Sequence, residues 1–156
     1  MDSISIDVLF ALQCLHVLFL AFHDWIPLGT LNDVTAVRAA NPGRKLAAAT
    51  IISSVPFAIP LGASAFYFGR AYPGWLLWWL WISYCLLFVG ELTAWWIPYF
   101  FRGDTARAAR YRVMFGATHT FLPERNGIRP NTLHVILHAA TVALLIALGV
   151  LTAQQG

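Results

Sequence analysis

Residues 132–151 read TLHVILHAATVALLIALGVL, and this stretch decides the fold. It contains no Asp, Glu, Lys or Arg, and it has the length of about 20 residues that a helix rising about 1.5 Å per residue needs to cross bilayer hydrocarbon. Three further apolar runs share its character: about Ile4 to Leu28, Leu46 to Phe68 and Trp75 to Phe101. Together they predict an all-α integral membrane protein, a single four-transmembrane-helix bundle covering residues 1–156. An open sheet would leave backbone groups unsatisfied in lipid, and the runs lack the alternation of barrel strands. Composition agrees: 59% of the chain is hydrophobic and only 11% charged, against roughly 25% charged residues in soluble domains.

The opening Met1-Asp2-Ser3-Ile4-Ser5-Ile6-Asp7 is acidic where a cleaved secretory signal would be basic, so the first run is expected to be retained. A formal charge of +3 does not indicate nucleic acid, because the basic residues sit between the apolar runs. Arg38, Arg44 and Lys45 fall in the first connection, Arg70 alone in the second, and Arg102, Arg107, Arg110, Arg112, Arg125 and Arg129 in the third. Basic connections stay cytoplasmic. The first and third therefore face the cytosol and both termini face outward, in the plasma (inner) membrane. Cys14 and Cys85 each fall near the middle of a run, which argues for two buried thiols rather than a disulfide framework.

Several local signals refine this picture. Trp75, Trp78, Trp79 and Trp81 mark one end of the third run, and Trp95, Trp96 and Tyr99 the other, as interfacial aromatic belts do. Pro56 and Pro60 remove backbone donors within the second run and predict a kink. Gly69 to Gly74 is a tight outer turn, and Asn41-Pro42-Gly43 is an inner one. In the third connection, Asp104 can cap a short amphipathic helix running to about Met114, placed on the cytoplasmic membrane surface. Gly116 to Pro130 follows as a loop, with two prolines and a glycine between Thr118 and Asn131, and Asn131 is a cap for the fourth helix.

The chemistry lies in polar stripes. At 100° per residue, Gln13, His16, His23 and Asp24 share one face of the first helix, and Asn131, His134, His138 and Thr141 one face of the fourth. Thr50, Ser53, Ser54 and Ser64 lie on one side of the second, and Tyr84 and Glu91, seven apart, on one face of the third. Ionisable groups at membrane depth are costly, so His16, His23, Glu91, His134 and His138 predict a polar chamber in the cytoplasmic half of the bundle.

The spacing of His134 and His138, i and i+4, is that by which a helix offers two metal ligands. With His16, His23 and Glu91 they form a candidate site for zinc or iron. A metal-activated water would make the protein a membrane-embedded enzyme acting on a lipid-like substrate, with Glu91 and His119 as catalytic candidates. Arg125, Arg129 and Tyr84 are candidates for holding an anionic cofactor or head group. The segment from Leu133 to His138 lacks the glutamate that the zinc-protease pattern requires beside its first histidine. Haem held by histidines of two facing helices is a second possibility. Proton-linked transport or a channel built from a homo-oligomer is a third, and a structural role with membrane lipid as the sole partner is the fourth.

Overall fold

The computed structural model describes residues 3–155, with side chains from Ile6 onward, so Met1, Asp2 and the side chain of Ile4, where the first run was placed, lie outside the described residues. The described chain is all-α and contains no strand. Its elements are α1 (Ser3–Phe22), α2 (Val34–Ala40), α3 (Arg44–Phe66), α4 (Gly74–Glu91), a π-helical turn (Leu92–Trp96), α5 (Ile97–Phe100), α6 (Thr105–Phe115) and α7 (Thr132–Gln155). Three stretches are long and apolar enough to cross a membrane: α3, the unbroken Gly74–Phe100, and α7. The apolar part of α1 described with side chains, Ile6–Phe22, is shorter.

The structure departs from the sequence reading in several places, the simplest being that α7 runs to Gln155 rather than to Leu151. The first helix ends at Phe22 rather than near Leu28, because residues beyond it turn back through Asn32, whose side-chain amide donates to the carbonyls of His23 and Ile26. The seven-residue α2 lies in what had read as a plain connection; Asp33 caps it, accepting from the Ala36 amide at 2.9 Å. The third stretch is not one continuous α-helix but contains the π turn. In α3 the helix runs through both Pro56 and Pro60.

Packing places α1 between α3 and α7, and α7 between α1 and α4. Ile6 and Leu9 of α1, Tyr72 of the 67–73 turn, Leu76 and Leu80 of α4, and Leu148 and Leu151 of α7 form one buried cluster, so the first turns of α1, the last turns of α7 and that turn share one end of the bundle. A second cluster closes the opposite end: Val37, Leu46, Trp95, Tyr99, Tyr111, Met114 and Ile128. At the start of the third stretch Trp75 and Trp78 are exposed, as belt residues are; Trp95, Trp96 and Tyr99 at its far end are more buried. Trp95 is only 5% exposed, held 4.4 Å from Tyr111 and 5.4 Å from Phe115, ring centre to ring centre.

The helix expected from Asp104 is α6, whose cap accepts the Arg107 amide at 3.0 Å. Its buried side, Ala108, Tyr111 and Met114, faces the second cluster while Arg110, Arg112 and Val113 are exposed. The loop after it turns sharply at Asn126 (φ 52°) and Gly127 (φ 76°), the pair of left-handed residues that a two-residue turn requires. Arg125 and Ile128 exchange backbone hydrogen bonds across this turn, and Ile128 is thereby buried beneath α6.

A proline explains the contact between α6 and the third stretch. Pro98 has no N–H, so the carbonyls of Ala94 and Thr93, four and five residues before it, are one helical donor short between them. The Arg107 guanidinium donates to both, and the Tyr111 hydroxyl donates to Ala94 at 3.2 Å. Burial holds the Tyr111 phenol above its ordinary pKa range, against the opposing pull of the Arg107 and Arg110 guanidiniums, so it stays a neutral donor.

Candidate functional site

Four helices bring the predicted polar residues to the half of the bundle away from the chain ends, and the residues separate into two groups. The first is a buried row. His16 on α1 is fully buried; its Nδ1 lies 2.7 Å from the Leu12 carbonyl and its Nε2 2.9 Å from the Thr141 hydroxyl on α7. That hydroxyl in turn donates to Glu91 Oε1 on α4 at 2.7 Å. Three helices are thus linked by two short hydrogen bonds. The second oxygen of Glu91 has no hydrogen-bond partner among the described residues.

The second group lines a cavity of about 550 Å³ between α1, α3, α4 and α7. Phe19, Phe57, Trp79, Leu86 and Trp95 contribute to its largely apolar wall, and His23, Ser83, Glu91, His134 and His138 supply its polar groups. Ile82 and Leu86 line this space while remaining 57% and 66% exposed on the side of α4. The mouth is therefore lateral, on the apolar flank of the bundle between α3 and α4. From Trp79 to Glu91 the groove runs along about 18 Å of helix.

Each histidine on this wall is held by a neighbour. His23 Nδ1 lies 2.8 Å from the Phe19 carbonyl and its Nε2 3.2 Å from Asp24 Oδ1. His134 Nδ1 lies 2.5 Å from Asn131 Oδ1, and Asn131 caps α7 by accepting the His134 amide at 3.0 Å. His138 Nδ1 accepts from the Trp96 indole at 3.0 Å. His134 is packed against Trp95, 4.6 Å away, and Phe115, 5.1 Å away, centre to centre.

Not every predicted residue reaches the cavity. His16 and Tyr84 are buried behind it, with Tyr84 edge-on to His16 at 5.5 Å. His119 is exposed and pairs with the Thr132 hydroxyl at 2.8 Å, while its backbone joins Thr30 and Thr132, so it ties two surface segments together rather than reaching inward. Arg125 lies over Tyr99 and Phe100. Arg129 borders a separate surface pocket with Arg112 and Glu124. In α3, Ser53 and Ser54 bond back to the Thr50 carbonyl, and Ser64 donates to Gln13 at 2.9 Å, so the serine stripe serves the helix and the α1–α3 contact.

The donor set does not fit the expected metal. Among the described residues no group of three or more His, Cys, Asp or Glu side chains is disposed to hold an ion. Both nitrogens of His16 and of His23 already have partners, and the Trp96 donor fixes the remaining His138 nitrogen as N–H. His134 Nε2 and Glu91 Oε2 are left as free acceptors, short of the three or four protein ligands of a zinc site. Two-histidine haem ligation lacks a second lone pair for the same reason.

Trp96 and Arg107 are the participants that the stripes did not mark. Pro98 was the signal for Arg107, since a proline in a long apolar run leaves carbonyls that some donor must meet. Comparison with protein-family models, curated proteins and solved structures finds no match to this chain.

Proposed function

We propose that this chain is a multi-pass membrane protein of the plasma membrane, crossing four times with both termini outside, that takes a lipid-like amphiphile sideways from the bilayer. The observation that carries this reading is the lateral cavity: apolar along its length, polar where Glu91, His134 and His138 meet, and open on a flank of exposed aliphatic side chains. Ligand sites are characteristically apolar concavities with a few convergent polar groups. An acyl or isoprenoid body would lie between α3 and α4, and the head group would lie toward the basic connections.

Gly90 provides the test. It lines the cavity, and a Cβ built there meets no atom within 4 Å, so a larger side chain fills ligand space without disturbing the packing. Native mass spectrometry of protein released from membranes into mild detergent should show a retained amphiphile in the wild type and its loss in Gly90→Leu. Equal retention in both proteins would remove the cavity as the binding place.

The row from His16 through Thr141 to Glu91 favours a second reading, proton-linked transport by a homo-oligomer, because a hydroxyl between an imidazole and a carboxylate can pass a proton in either direction. It requires a pH-dependent flux in proteoliposomes that Glu91→Gln abolishes.

A further inference from the structure

The head group that the cavity accepts can be read from two histidines whose protons are assigned by their neighbours, given that an amphiphile fills it. An indole N–H only donates. His138 Nδ1, 3.0 Å from the Trp96 Nε1, therefore holds a lone pair, and the ring carries its one proton on Nε2. At His134 the assignment is reversed. Its own backbone N–H points at Asn131 from 3.0 Å, so the amide atom there is oxygen. The same oxygen lies 2.5 Å from His134 Nδ1, which must be the N–H. His134 has no carboxylate in ion-pair distance among the described residues, and its neutral ring leaves a lone pair on Nε2.

Neither Nε2 has a protein partner among the described residues, both residues border the same cavity, and the ring centres are 6.2 Å apart. One N–H and one lone pair side by side fit a group that accepts one hydrogen bond and donates another. We infer that the cavity binds a neutral amphiphile headed by a hydroxyl, its oxygen accepting from His138 and donating to His134. An ether or ester oxygen would leave the His134 lone pair unmatched, a trimethylammonium group would leave both ring nitrogens unmatched, and a carboxylate would find one donor, no proton to give and the free Glu91 oxygen on the same wall. Each mismatch strands a buried polar group, which costs more than the bond itself contributes.

Trp79 and Trp95 in the cavity wall make the binding visible. Protein in lipid nanodiscs is titrated with undecanol carrying a terminal bromine, which quenches nearby indoles, and with the matching methyl ether, carboxylate and trimethylammonium compounds. The alcohol should bind at least about tenfold more tightly than each of the others; His134→Leu should reduce its preference over the ether to about twofold while leaving ether binding unchanged, and His138→Leu should weaken alcohol and ether alike. Absence of saturable quenching by every probe would overturn the cavity reading itself. Saturable quenching with equal affinities, or with a charged probe favoured, would overturn the hydroxyl assignment alone. The comparison among probes is made on the wild type, so it stands even where a leucine variant does not fold.

Discussion

Arg107 is bonded to the two carbonyls that between them lack the donor missing at Pro98, and this dependence can be measured as a coupling between two residues nine positions apart in sequence. Arg107→Ala removes a charged donor from Thr93 and Ala94, and a hydrogen bond to a charged group is worth about 1.5–3 kcal/mol. Thr93 is exposed and Ala94 keeps the Tyr111 hydroxyl, so water and tyrosine recover part of the loss and a net cost of about 2 kcal/mol is expected. In a Pro98→Ala background the backbone regains an N–H at residue 98, and the same arginine substitution should cost about 1 kcal/mol less. The assay is reversible unfolding in mixed micelles, followed by circular dichroism and by the emission of Trp95, which stacks on Tyr111. If Arg107→Ala costs the same with proline or alanine at 98, the arginine is not answering the missing N–H, and the account of how α6 is tied to the third stretch fails.

Other expectations follow from the same contacts. Trp96→Phe deletes the indole donor to His138, should lower stability by about 1 kcal/mol, and should weaken alcohol and ether probes alike, because the imidazole proton is then free to sit on either nitrogen and the donor that both head groups use is no longer fixed. Asp104→Ala removes the cap of α6; a loss of about 1 kcal/mol is expected, with the added proteolytic sensitivity confined to residues 103–116, and unchanged cleavage there would contradict it. Gly127→Ala forces a side chain onto a backbone at φ 76° and within 3.0 Å of the Ala108 Cβ, so thermal unfolding should begin at a lower temperature than in Gly127→Asn, whose left-handed conformation is less costly.

The membrane-length helices, the cap at Asp104, the cap at Asn131 and the outer turn at Gly69 to Gly74 were legible because each depends on local chemistry: apolar length, a side-chain acceptor before a helix, or a residue that tolerates a bend. The stripe on α7 was legible for the same reason, and periodicity correctly put His134, His138 and Thr141 on one face toward the other helices. What periodicity cannot encode is partner choice. His16 and His138 look alike along the sequence, yet one is linked to Thr141 behind the cavity and the other is held by Trp96 at its wall. Trp95 and Trp96 resembled interfacial anchors because composition is blind to the π turn that draws Trp95 inward. The metal expectation counted imidazoles without knowing that most of their nitrogens were already occupied.

The wider turn at Leu92–Trp96 also acts as a phase shift. Each residue advances a helix by about 100°, so inserting extra backbone into one turn rotates everything beyond it relative to everything before it. Upstream, α4 presents Tyr84 and Glu91 to the interior; downstream, consecutive indoles serve different neighbours, Trp95 stacking on Tyr111 and His134 while Trp96 donates to His138. A single-residue deletion within the turn would restore regular winding and swing both rings away from the histidines they orient. Spelling alone would register the loss of one apolar residue among many, whereas the molecule would lose the angular offset that lets one rod address two separate sets of neighbours.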